Sequence, residues 1–406
     1  MPRLRWFLCF AIIIAMIPAM IYCFNMLPVE TGELAAEKYN NWSGVLRIWL
    51  YDGWMDGSSS LITWLGRCTS SFEKNNPGVY VQIQSVDSTA IEYICENGLI
   101  PPDIILFPPG LLSAPHHLVP LAEKNNLLYS LDKAGSYNGM IYAHPIAMGG
   151  YVWAYNSELI NSIPSSWKNT DTSIAISSDS AYHYWSSALT FLCSGKYLVN
   201  DIFVQNTSAP NMDLDLSLIE PTPKPIQTPV PSEEDYMYCS LPEKFSFSKT
   251  TYQDFISGDI SATVFTQQEI KRLMALSEQG KGPEWKISIS GDISFTDQIL
   301  YASVVNKPES PEKTDLCISL IDHFLSEDCQ NIINTAGLFS VTDTTSGYDS
   351  YHPLQKMESM IKSIPVYTSH AFQNFRETSL RNIVRIFLEN GSFSKALYHE
   401  IMDIAS

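Results

Sequence analysis

Trp54 and Asp56 stand two positions apart between Gly53 and Gly57, an aromatic plate with a carboxylate handle. Such a pair suits non-covalent recognition, because the ring offers a flat apolar face and the carboxylate accepts hydrogen bonds. Asp87, in the polar stretch Ser85–Thr89, is a second acidic handle. Residue sets for covalent chemistry are missing. No G-x-S-x-G, H-E-x-x-H, G-x-x-x-x-G-K-[ST] or G-x-G-x-x-G occurs. The histidines are dispersed, with only His116 and His117 adjacent, and chain neighbours seldom share one metal. Asp213 and Asp215 could attract calcium only from within a proline-rich stretch. Acid pairs of glycosidase type are always available in an acidic chain, but none stands out. The sequence predicts a non-enzyme without cofactor or metal.

The elements that hold these side chains alternate. Val45–Tyr51 reads as a strand, and Leu61, Ile62, Trp64, Leu65 and Phe72 recur at helical spacing up to the stop Asn75-Asn76-Pro77-Gly78. Val79–Ile83 is a second strand, Ile91–Asn97 a short helix, and Ile104–Phe107 a third strand. This strand–helix alternation predicts a parallel, doubly wound α/β sheet, whose ligand-binding loops follow the carboxyl ends of the strands. Those loops are Asp52–Ser60, Ser85–Thr89 and Pro108–Ser113.

Farther on, Met140–Ala143 and Tyr151–Tyr155 read as strands joined through Gly149-Gly150, a segment suited to crossing between lobes. Trp167–Leu192 has helical aromatic spacing. Residues 206–234, with Pro210, Pro221, Pro223, Pro225, Pro229 and Pro231, form a proline-rich insertion expected to be disordered. A helix–loop–helix follows Tyr252, then strands at Trp285–Ser290 and Gln298–Val305. Asp315–Ala336 reads as one long helix and Tyr351–Ser406 as three helical pieces.

Composition narrows the class. The chain of 406 residues is 45% hydrophobic and 12% aromatic, enough for a real core, and carries a formal net charge of −18. With 43 acidic against 25 basic residues it lacks the electrostatic footprint of a nucleic-acid partner. Arg3 and Arg5 precede an uncharged run from Trp6 to Leu27, roughly 33 Å long as a helix against a hydrocarbon core of about 30 Å. Residues 1–30 are thus expected to be a membrane anchor or signal segment with the remainder outside. Lipidation at Cys23 is a third option, opposed by the bulky Tyr22 before it. Beyond that segment, Cys68, Cys95, Cys193, Cys239, Cys317 and Cys329 permit disulfides but equally suit buried free thiols.

Several stretches, in order, resemble the extracellular sugar-type solute-binding proteins of ABC importers, the group that includes maltose-binding protein. They are VLRIWLYDGW, SFEKNNPGVYVQIQ, GLIPPDIILF, LVPLAEKNNL, GMIYAHPIAMGGYVWAYNSELI, IPSSW, FISGDISATVF and CISLIDHFLSEDCQNIINTAGLFSV. The resemblance runs from about Val45 to the C-terminus. It implies a two-lobed periplasmic-binding-protein-like fold with hinge strands between doubly wound lobes. Lobe 1 would hold 44–146 and 297–342, and lobe 2 would hold 147–296 and 343–406, with 206–234 inserted in lobe 2.

The same resemblance implies hinge closure on a mono- or oligosaccharide, delivery to ABC permease subunits, and a monomer. The ligand-binding residues would be Trp54, Asp56, Asp87, Tyr151, Trp153, Trp185, Gln267 and Trp285, with rings stacking on the sugar and polar groups taking its hydroxyls. A membrane-tethered sensing ectodomain on the same fold, or a secreted polysaccharide hydrolase, are the alternatives. A sensor would keep its anchor uncleaved, and a hydrolase would show turnover abolished by one Asp or Glu substitution.

Overall fold

The β-branched and aromatic side chains of Val45–Tyr51 fit a pleated surface, and the segment opens the fold as strand β1 (Gly44–Tyr51). The computed structural model describes residues 42–54, 59–91, 102–128, 131–164, 171–178, 188, 241–289, 294–306, 310–343, 346–349, 352–364, 366–372 and 375–391. The N-terminal segment 1–30, the insertion 206–234, Asp56, Trp185 and nearly all of the helix expected at 91–97 lie outside them. Among the described residues no helix is long and apolar enough to cross a membrane.

A 3-10 turn at Asp52–Trp54 leads from β1 into helix α1 (Ser59–Asn75). Leu61, Trp64, Leu65, Cys68 and Phe72 form its buried face. Gly78, at φ 90, reverses the chain into β2 (Val79–Val86), which pairs with β1 in parallel from Gly44↔Val79 to Tyr51↔Val86. On the other side of β1 lies β3 (Ile104–Phe107), also parallel. Asp103, just before it, accepts from the Arg47 amide at 2.8 Å and pairs with Lys313 at 2.7 Å, so this buried carboxylate pins β3 beside β1.

A small hairpin, β4 (Ser136–Tyr137) and β5 (Met140–Ile141), precedes β6 (His144–Met148). Much later, β13 (Ile299–Val304) enters between β3 and β6, antiparallel to both. The first sheet therefore runs β2-β1-β3-β13-β6. β3, β13 and β6 are buried along their whole length, which is why they read as largely apolar runs, whereas β1 alternates between buried and more exposed positions.

The second sheet holds β7 (Tyr151–Asn156), β8 (Ile174–Ser177), β9 (Phe245–Ser248), β10 (Ala262–Thr266) and β11 (Trp285–Ser288) in the order β11-β7-β10-β8-β9. Helix α2 (Thr251–Ser257) leads into β10, and α3 (Gln267–Glu278) leaves it through a capping box of Thr266 and Glu269. A parallel pair, β12 (Ser294–Thr296) and β14 (Val366–Thr368), lies apart from both sheets.

Three expectations are corrected. The long helix at 315–336 is broken into α4 (Pro311–Phe324), α5 (Glu327–Gln330) and a 3-10 turn at Ile333–Ala336. Ser326 is the cause, because its hydroxyl accepts from the Cys329 amide and starts a new helix. Within 167–192, Ile174–Ser177 is strand β8, placed between β10 and β9, where Ile174 and Ile176 are buried. The C-terminal stretch is α6 (Pro353–Lys362), strand β14, then α7 (Phe375–Asn390), with 392–406 outside the described residues. Pairing with β12, far away in sequence, makes Val366–Thr368 a strand.

Candidate functional site

Strand direction brings the ends of both sheets to one junction. β1, β2, β3 and β6 run the same way, so Tyr51, Val86, Phe107 and Met148 share an edge with Ile299, where β13 begins. In the second sheet Thr266 at the end of β10 pairs with Tyr151 at the start of β7, and β8, β9 and β11 end at that same edge. Gly149 and Gly150 alone separate β6 from β7, and Asp297 and Gln298 alone separate β12 from β13. A third passage follows β14. The Ser369 amide donates to Thr296 at 2.9 Å, and Ala371 then bonds to Gly110 and Ala134 in loops of the first sheet.

Hydrogen bonds tie these passages together. The Gly149 amide donates to the Gln298 carbonyl at 2.6 Å, and the Thr296 hydroxyl donates to the Gly149 carbonyl at 3.1 Å. Tyr151 donates its phenol to Asp297 at 2.5 Å and accepts from the Gln298 amide at 3.3 Å. Burial, and then the Asp297 charge, push the Tyr151 pKa well above its ordinary value, so the phenol stays a donor at any working pH. The Gly150 amide donates to Gln267 Oε1 at 3.0 Å, while Gln267 Nε2 has no partner among the described residues.

The glycine pair is required by close approach. A Cβ on Gly149 would overlap the Gln267 amide, and one on Gly150 would meet the Ile361 side chain of α6. Gly149→Ala is therefore expected to destabilise by about 1–3 kcal/mol through overpacking. Gln267→Ala in the same chain should recover part of that loss, and urea unfolding of the single and double variants checks both statements.

The sequence candidates are placed unevenly. Tyr151 and Gln267 come together at the junction, Trp153 lies two residues further along β7 opposite Val264, and all three are almost fully buried, at 1%, 0% and 0% exposed in the order Tyr151, Gln267, Trp153. Trp54 closes the 3-10 turn after β1, on the first sheet's side of the junction. Asp87 is exposed, and its carboxylate caps the next turn by accepting from the Ala90 amide at 2.8 Å. Trp285 pairs with Asn156 at the opposite end of β7 and donates to the Ser277 hydroxyl, so it does not join the junction. Asp56 and Trp185 lie outside the described residues. Sequence reasoning missed Thr296, Asp297 and Gln298. Their signal was three polar residues in a row between Phe295 and the apolar run 299–302.

A surface recess of about 440 Å³, lined by Leu241, Phe245, Phe247 and Leu388, sits on β9 and the end of α7. It is separated from β7 by β8 and β10 and takes no part in the junction.

No protein-family model matches the sequence, and no curated protein matches it. Solved structures do. The maltodextrin-binding protein MalE1 of L. casei BL23, without ligand, superimposes with a TM-score of 0.60 at 13% identity, over 90% of this chain and 100% of that one. The GacH receptor of Streptomyces glaucescens, solved unliganded and with acarbose, gives 0.58 at 12% identity, over 89% and 97%. The maltodextrin-binding domain MalE of Bdellovibrio bacteriovorus bound to maltotriose gives 0.53 at 15%, over 89% and 98%. The chain has the two-lobed periplasmic-binding fold. The fold expected from the ordered motifs is the fold observed. The passages around Gly149, Asp297 and Ser369 are where the chain runs between the two sheets.

Proposed function

We propose that the protein is an extracellular solute-binding protein that captures a carbohydrate-like ligand between its lobes by hinge closure and hands it to an ABC permease. The observation that carries this reading is the junction. It joins the strand ends of two sheets, where open α/β sheets bind ligands, through two-residue links. The structures it is similar to are named for maltodextrin, acarbose and maltotriose, which favours an oligosaccharide. The proposed lobes are 44–146 with 297–342, and 147–296 with 343–406. Within the proposed ligand set, Trp54 stands in the turn after β1, where its aromatic type suits stacking on a sugar, and Gln267 has a spare amide beside Gly150. Tyr151 and Trp153 fix the geometry from which the lobes close. Ligand shifts the open–closed equilibrium by its differential affinity for the closed state.

The test is a thermal-shift screen of the exported part with maltotriose, chitin oligosaccharides and xylan oligosaccharides, with amino acids and peptides as comparison. A ligand at 100 times its Kd should stabilise by about 2.7 kcal/mol. The melting temperature is expected to rise by several degrees with at least one oligosaccharide, and Trp54→Ala should remove the rise while leaving the unliganded melting temperature in place. A shift with peptides alone overturns the carbohydrate reading.

A further inference from the structure

Cys68 on α1 and Cys329 on α5 are far apart in sequence, yet their side chains meet behind the first sheet. Both are buried, at 1% and 2% exposed, and both are free thiols. The two thiols and the ring of His323, in the last turn of α4, lie close enough to perturb one another's protonation. The backbone holds the three groups in place. The Cys68 carbonyl accepts from His323 Nε2 at 3.1 Å, the Cys329 carbonyl accepts from Trp64 Nε1 at 2.9 Å, and the Ser326 hydroxyl accepts from the Cys329 amide. Phe72 packs against the His323 ring, with centroids 5.7 Å apart.

The groups are unequal. The Cys68 thiol and the His323 ring hold the Cys329 thiol below the usual range, whereas Cys68 is itself held above it. A thiolate beside a second thiol and an imidazole is the arrangement that thiol–disulfide exchange uses. The short α5 is the element whose local opening would bare Cys329, since it has a single turn and one cap.

We propose that Cys68 and Cys329 are a redox pair that closes to a disulfide by exchange with a low-molecular-weight disulfide, with Cys329 attacking and His323 positioning it. The Cys329 thiolate attacks one sulfur of the small disulfide, forming a mixed disulfide and releasing one small thiolate. Cys68 gives up its proton and attacks the Cys329 sulfur, forming the Cys68–Cys329 bond and expelling the second small thiolate, which takes up that proton. Two protein thiols become one S–S bond, and the small disulfide becomes two thiols. The bond ties α1 to α5, so it cross-links the helical layer behind the first sheet without entering the cleft. It is independent of which ligand the cleft takes, so the sugar screen can fail without touching it.

The test uses the full chain, fully reduced and then incubated folded with oxidised glutathione. Acid quenching, alkylation and digestion without reductant precede mass spectrometry. The expected product is a peptide pair joining Cys68 to Cys329, lighter by two hydrogens than the separate peptides and split by reductant. In Cys68→Ser the glutathione should remain on Cys329. In His323→Asn the pH profile of Cys329 modification should move to higher pH while the melting temperature changes little. Recovery of both cysteines alkylated, or of Cys329 joined to Cys317, overturns the proposal, and the wild-type digest gives that answer even where a variant fails to fold.

Discussion

Trp64→Ala is expected to lower the unfolding free energy by about 3–5 kcal/mol, the cost of a large cavity in a packed core. Trp64 is fully buried on α1, its ring lies 6.1 Å from that of Phe324 on α4, and its indole N–H donates to the Cys329 carbonyl at 2.9 Å. Truncation thus removes the packing and also leaves a buried carbonyl without its donor. Trp64→Phe separates the two, since it keeps most of the volume and loses only the hydrogen bond, and should cost about 1–2 kcal/mol. Urea midpoints at unchanged slope give both values. A loss below about 1 kcal/mol for the alanine variant would show that α1 does not depend on this side chain for docking.

The second large effect is in pH. His144 on β6 is 1% exposed, and its pKa is lowered from 6.5 to about 4. Burial is the main cause, and the Lys124 charge adds to it, while Asp322, paired with Lys124 at 2.7 Å, pulls the other way. Between about pH 4 and 6.5 the unfolded chain binds a proton at this residue that the folded chain does not. Stability therefore rises with pH across that window, is lost as pH falls from about 6.5, and levels off near 4. The full drop is about 3 kcal/mol at 1.36 kcal/mol per pKa unit. Carboxylates add their own acid dependence, so the measurement is the difference between wild type and His144→Leu. The variant's stability should be flatter across this window, and parallel curves would assign the acid loss to other groups.

These two residues also show how far the sequence could be read. Trp64 falls on the helical stripe of Leu61, Leu65 and Phe72, so its burial follows from local periodicity alone. The same holds for β1, α1 and β2, whose pattern and stop signals lie within a few dozen residues. His144 gives no such sign. It is covered because β13, more than a hundred residues later, pairs with it through Ala302. The junction is legible by half for the same reason: Gly149-Gly150 mark a crossing, but Asp297 meets Tyr151 at a separation of 146 residues, which no local pattern records. Ser326 escaped notice because the apolar spacing of Leu316, Leu320, Ile321 and Phe324 continues smoothly toward it, and the break comes from a polar side chain turning to the backbone.

The position of β13 sets a timetable for synthesis. Its place between β3 and β6 means that neither neighbour can complete its ladder until residue 304 has been made. At ~5–20 residues per second, β3 waits about 10–40 s on the ribosome with one edge bare. That edge is short and wholly apolar, the kind that pairs with whatever strand arrives first. Chaperones therefore meet a chain that cannot yet have closed its first sheet.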